Sequence, residues 1–232
     1  MAMEGPDYRA GQIAQTLERG LQILDTLHRI PEGMTITELS AEQGLPRTVA
    51  TRLVNTLAKH GYVTRSSDGR YLLGLAVMTM ARSVADRASV GTAPLMVEAA
   101  VRLGGTITHA VVDGDEIVFI SSVEPPSGNF RIGMRPGSRQ PICLAAQGWA
   151  ILSARPAVPG ERPEIARARQ HGYAVSVGEV QPAYAGVAAP ITVAGRTDTS
   201  VGCVFPRERL DEAEELGAAV IDLARRLALF SG

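Results

Sequence analysis

At Gly61 the sequence changes its period, and this constrains the fold of the first third of the chain more than any other feature. Before it, LPRTVATRLVNTLAKHGYV (45–63) repeats its apolar residues at helical spacing. At roughly 100° per residue, Ala50, Leu53, Val54 and Leu57 share one side, whereas Thr48, Thr51, Arg52, Asn55 and Lys59 cluster on the other. After it, Tyr62-Val63-Thr64-Arg65 and Arg70-Tyr71-Leu72-Leu73 are two short strand patterns on either side of Ser66-Ser67-Asp68-Gly69, with Asp-Gly at the turn. A helix feeding straight into a hairpin leaves few compact arrangements.

Upstream, Ile13, Leu17, Leu21, Leu24 and Leu27 recur every three or four residues and predict a first helix that ends before Pro31-Glu32-Gly33. Thr35 and Glu38 have capping-box spacing at the head of a short second helix, which Gly44 breaks. Pro46 then stands near the first turn of the third helix, where its missing N–H is tolerated. Three helices, a tight glycine turn and a hairpin with an arginine on each arm predict a winged helix-turn-helix. The polar face of the third helix holds no acid. Between Gln43 and Tyr71, Arg47, Arg52, Lys59, Arg65 and Arg70 stand against Asp68 alone, a local excess of +4 in a chain whose formal charge is −1. A face of Thr, Asn and Arg donates to phosphates and base edges without acidic repulsion. The competing reading is a merely solvated face, and it weighs most for Arg65 and Arg70 on the wing.

A chain of 232 residues with 45% hydrophobic side chains suits two domains. No stretch approaches the roughly 18 apolar residues of a membrane span, and MAMEGPDYRAGQ has no signal-peptide core, so a cytoplasmic, membrane-free protein is expected. Cys143 and Cys203 have no CxxC or Cys/His spacing, which predicts buried thiols and neither a disulfide, a metal site nor a cofactor. Residues 75–103 read as two helices, the first long enough to be a linker. ITHAVVD, EIVFISSV and FRIGM follow as strands, then AAQGWAILSA and RPEIARARQHGY as helices. YAGVAAPITVA and SVGCVFP are strands again, and LDEAEELGAAVIDLARRLALF is a closing helix. The predicted class is α+β: a DNA-binding domain over 1–74, a linker helix over 75–89 and a mixed second domain over 90–232.

In this order the segments resemble the IclR family of bacterial transcription regulators over nearly the whole chain. The resemblance rests on TLERGLQILDTL, TITELSAEQGLPRTVATRLVNTLAKHGYV, SSDGRYLLG, GYAV and GVAAPI. It implies a DNA-binding domain that dimerises, a linker helix and a GAF-like effector domain that binds a small metabolite. It also places Arg47, Thr48, Thr51, Arg52 and Asn55 on the DNA side of a recognition helix from about Pro46 to His60, with Arg65 and Arg70 as phosphate contacts. The implied partners are double-stranded operator DNA, a second copy of the chain in a homodimer or homotetramer, and an effector.

The effector domain departs from that pattern. Where family members that bind small carboxylates often carry an acid, a cysteine and a pair of serines, this chain has Ser176, Gly186, Gly202 and Val204. In GSRQPICLAAQGWAILS, Cys143 stands where the family often has His and Trp149 where it often has Lys, with Ala145 between them. These seven residues are the expected effector contacts. Their chemistry points to an effector larger or less polar than a small carboxylate, aromatic or amide-like, because such an anion needs several donors to replace its water. Trp149 has a second reading, in which it packs in a subunit interface or lies half-exposed. The segment between Ser153 and Ile165 is short for the family, which implies a reduced lid over the pocket. Two rivals belong to other classes: an architectural DNA-binding protein whose second domain only oligomerises, and a cysteine-based enzyme on a GAF-like fold. His28, His60, His109 and His171 stand in no motif relation to either thiol, and a reactive cysteine needs such a neighbour, so catalysis is not expected.

Overall fold

A computed structural model describes residues 13–89, 91–126 and 134–230. It divides into two compact units, residues 1–84 and 85–232.

In the first unit, α1 (Gln15–Arg29), α2 (Ile36–Glu42) and α3 (Arg47–Lys59) precede the antiparallel pair β1 (Val63–Arg65) and β2 (Tyr71–Leu73). The capping box is present: Glu38 N–H donates to Thr35 Oγ1 at 3.3 Å and Thr35 N–H to Glu38 Oε2 at 2.7 Å. Ile23, Leu27, Leu39, Leu53, Val54 and Val63 form the core. The first helix differs from expectation in which face it buries. Gly20, Ile23, Thr26 and Leu27 point inward, leaving Ile13, Leu17 and Leu21 at 44%, 63% and 48% exposure. A helix offers one stripe to one core, and here a second apolar stripe lies outside it.

α4 (Leu75–Ser89) follows β2. The second unit then folds α5 (Ala93–Leu103), β3 (Thr106–Asp113), β4 (Glu116–Val123), β5 (Arg139–Pro141), α6 (Ala146–Ser153), α7 (Pro163–His171), β6 (Ala174–Val177), β7 (Tyr184–Val193), β8 (Arg196–Pro206) and α8 (Ala213–Ala228). Its six strands make one antiparallel sheet in the order β5-β4-β3-β8-β7-β6. The α+β, GAF-like class is therefore observed.

On one face of the sheet, Met96 and Ala100 of α5 and Val220, Leu223 and Leu227 of α8 pack on Ile107, Val201 and Phe205. On the other, Trp149 and Ala150 of α6 and Ile165 and Ala168 of α7 pack on Ala174 and Ala188. α6 approaches closely because Gly148 has no side chain: a Cβ there would lie 1.8 Å from the Ile142 carbonyl oxygen. Several boundaries differ from the sequence reading. β8 begins at Arg196 rather than Ser200, and a 3₁₀ turn at Arg207–Glu212 takes the first part of the expected closing helix. β5 and β6 are short strands not anticipated as such. The expected strand FRIGM lies, apart from Met134, outside the described residues.

Candidate functional site

Two places concentrate polar groups that the fold does not use. The first is the outer face of α3. Ala50, Leu53 and Val54 lock its inner face into the core, so Arg47, Thr48, Arg52 and Asn55 stand exposed. None of these four side chains has a hydrogen bond or ion pair with another described residue. Thr51 is half-buried, and its hydroxyl donates back to the Arg47 carbonyl at 2.8 Å, a local bond that occupies its proton. The wing arginines are less free. Arg70 Nη1 donates to the Gly33 carbonyl at 2.9 Å and to Glu38 Oε2 at 3.1 Å, tying the wing to the head of α2. Arg65 stays exposed, its Nε 3.4 Å from the Gly69 carbonyl and its guanidinium 5.5 Å from the Tyr71 ring centre.

The second place is a cavity of about 230 Å³ between the sheet and the start of α6. Five of the seven expected effector residues line it: Ala145, Ser176, Gly186, Gly202 and Val204. Cys143 and Trp149 do not. Cys143 is exposed. Trp149 is only 1% exposed, correcting the half-exposed reading, and its Nε1 donates to the Cys143 carbonyl at 2.8 Å. Its ring meets the Arg162 guanidinium at 4.6 Å and borders a second cavity with Glu164, Arg167 and His171.

The expectation of a cavity stripped of polar groups was incomplete. Thr108, Gln140, Gln147, Glu179, Gln181 and Tyr184 also line it, and sequence reasoning marked none of them. Gln147 is committed to the fold: its Nε2 donates to the Thr108 carbonyl at 3.0 Å and to Thr108 Oγ1 at 2.5 Å, while its Oε1 accepts from Ser200 Oγ. Gly202 makes room for this amide, since a Cβ there would lie 2.9 Å from Gln147 Nε2. Ser176 and Gln140 are each 8% exposed, line the cavity and have no side-chain partner among the described residues. Glu179 is held from outside by Arg162, whose Nη2 donates to Oε1 at 3.0 Å. No Lys, Arg or His lies among the described lining residues.

Burial pushes the Cys203 thiol up to about 12, far from the thiolate form. His109 alternates with Thr108 along β3, so its ring faces away from the cavity, and burial depresses it to about 4. Among the described residues no cluster of His, Cys, Asp or Glu fits a metal ion, and no helix is long and apolar enough to cross a membrane.

Residues 16–67 match the IclR helix-turn-helix domain. The HTH-type transcriptional regulator Rv1719 of Mycobacterium tuberculosis is 30% identical over 157 residues, covering 67% of this chain and 60% of that protein. The chain thus spans less than two thirds of that relative. KipR of Bacillus subtilis is 25% identical over 92% of this chain and 97% of its own length. Among solved structures, an IclR transcriptional regulator from Alicyclobacillus acidocaldarius superposes with a TM-score of 0.80 at 22% identity, over 95% of this chain and 100% of that one. An IclR homologue from Microbacterium hydrocarbonoxydans, complexed with 4-hydroxybenzoate, superposes with a TM-score of 0.77 at 20% identity, over 93% and 98%.

Proposed function

The chain belongs to the IclR family of transcriptional regulators, and we propose that it is an effector-responsive repressor or activator without catalytic activity. It reads a near-palindromic operator with α3 as a dimer or a dimer of dimers. One observation carries this: α3 buries Ala50, Leu53 and Val54 on one face and presents Arg47, Thr48, Arg52 and Asn55, with no acid among the residues of the helix, on the other. Such groups position on phosphates and read base edges once the helix enters the major groove. The exposed apolar residues Ile13, just before α1, and Leu17 and Leu21 on α1, with Leu75 at 79% and Met78 at 63% exposure on α4, support self-association through the first unit, with α4 as the linker.

The cavity supports effector binding over a domain that only oligomerises. Two side chains that are each 8% exposed, Ser176 and Gln140, line it with no side-chain partner among the described residues and so have hydrogen bonds to offer a ligand. The homologue's complex with 4-hydroxybenzoate supports a small-molecule ligand in this fold. The effector proposed here is aromatic or amide-like rather than a small carboxylate. Tight calorimetric binding of glyoxylate or pyruvate overturns that choice.

The direct test is a footprint on the DNA upstream of the gene, across a salt series. A protected palindrome that persists at physiological salt is expected. Weak protection everywhere that vanishes with salt reduces the α3 face to nonspecific contact.

A further inference from the structure

The only formal charge on the described wall of the cavity is negative. Glu179 sits there between β6 and β7, and its carboxylate has two oxygens with different surroundings. Arg162 reaches Oε1 from outside the wall, and no described group donates to Oε2. Arg162 is itself engaged with the Trp149 ring and with Glu164 Oε2 at 3.5 Å, which fixes it on its own side. An ionised acceptor at a partly closed wall calls for a donor, because an unpaired lone pair beside a bound ligand loses its water without replacement.

The opposite requirement comes from α6. Ala145, Ala146 and Gln147, at its N-terminus, line the same cavity, and no side chain caps this end. The first-turn N–H groups of a helix lack intrahelical acceptors and favour an oxygen. Ser176 and Gln140, more than nine-tenths buried and unpartnered, add adaptable donors and acceptors. Gln147 is not one of these, since Thr108 and Ser200 already saturate its amide.

A cavity with an oxygen-seeking helix end, an N–H-seeking carboxylate and no cation among its described lining residues is matched by a group that carries C=O and N–H together and no net charge. We infer that the ligand is a neutral carboxamide or lactam, and that Glu179 determines its specificity by accepting the amide N–H. A carboxylate of the same shape brings two acceptors and a negative charge, so it satisfies the α6 end and repels Glu179. Discrimination of this kind is a difference between two affinities, with the acid rejected by a like charge.

This inference rests on the effector reading above and is tested separately from DNA binding. The full chain is titrated calorimetrically with 4-hydroxybenzamide and with 4-hydroxybenzoate, which share a ring and differ in amide against carboxylate. The amide is expected to bind about tenfold tighter or more, a difference of about 1.4 kcal/mol. Glu179→Gln removes the charge and supplies an N–H, so the preference should collapse or reverse. Arg162→Gln breaks the same ion pair from outside the cavity and should retain the preference. Equal or tighter binding of the acid, saturation by neither compound, an unchanged ratio in Glu179→Gln or a lost ratio in Arg162→Gln each overturns the inference. Operator protection by the same preparations keeps the two proposals apart: protein that footprints but does not prefer the amide removes this inference alone.

Discussion

At the scale of single residues, the arginines of the first unit divide by what else they hold. Arg47 and Arg52 have no side-chain partner among the described residues, whereas Arg70 spans Gly33 and Glu38. Replacing Asn55 or Thr48 with Ala should therefore cost about 1–3 kcal/mol on the specific operator and little elsewhere. Arg70→Ala should leave the salt slope of binding nearly unchanged and lower stability only slightly, because its ion pair is 35% and 45% exposed. A salt slope falling by a full phosphate contact would return Arg70 to the DNA. The exposed α3 face was legible because period alone sorts a helix into faces. The partner of Arg70 was not, since Glu38 lies 32 residues away and only the folded wing brings them together. His109 gives a pH signature. Its folded value, about 4, lies below the ordinary 6.5, so the unfolded chain takes up the proton first. Stability is fully present above pH 6.5 and falls between pH 6.5 and 4, by about 2–3 kcal/mol. Urea titrations at pH 7.5 and 4.5 measure this, and His109→Leu should remove most of the difference.

At the scale of elements, the sequence revealed those long enough to show a period. β3, β4, β7 and the helices α5, α6, α7 and α8 were expected from strand and helix patterns, but β5 and β6 have three and four residues, too few for alternation to stand out. The cavity wall was half legible for a related reason. Glycines and serines could be aligned to a pattern, whereas Gln140, Gln147 and Glu179 are polar residues whose inward direction follows from sheet order and the seat of α6. That seat depends on Gly148. Gly148→Ala must push α6 away from the Ile142 carbonyl and should destabilise the second unit by about 3 kcal/mol. Calorimetric unfolding should show the loss in that unit, and an unchanged profile would mean that α6 shifts without penalty.

For the whole molecule, the proposed dimer sets a spacing. Two copies of α3 on one duplex require half-site centres about 10 base pairs apart or a multiple of that. Inserting five base pairs between half-sites should abolish specific protection, and ten should restore part of it. Coupling between effector and operator further requires that the ligand bind the two states of the protein unequally. A crosslink that immobilises α4 should then leave DNA binding intact and silence the response. A retained response would take the linker out of the coupling.

Trp149 is the single indole of the chain, sealed from water, anchored through Nε1 and capped by a guanidinium 4.6 Å from its ring. The same guanidinium holds Glu179 on the cavity wall. A fluorophore in that setting emits at short wavelength, and the position of a cation over its ring sets the colour of that emission. Titration with 4-hydroxybenzamide should shift the Trp149 emission if a ligand that draws on Glu179 loosens its hold on Arg162, a readout that needs neither label nor DNA; an unmoved spectrum at saturation would mean that Arg162 keeps its place over the ring.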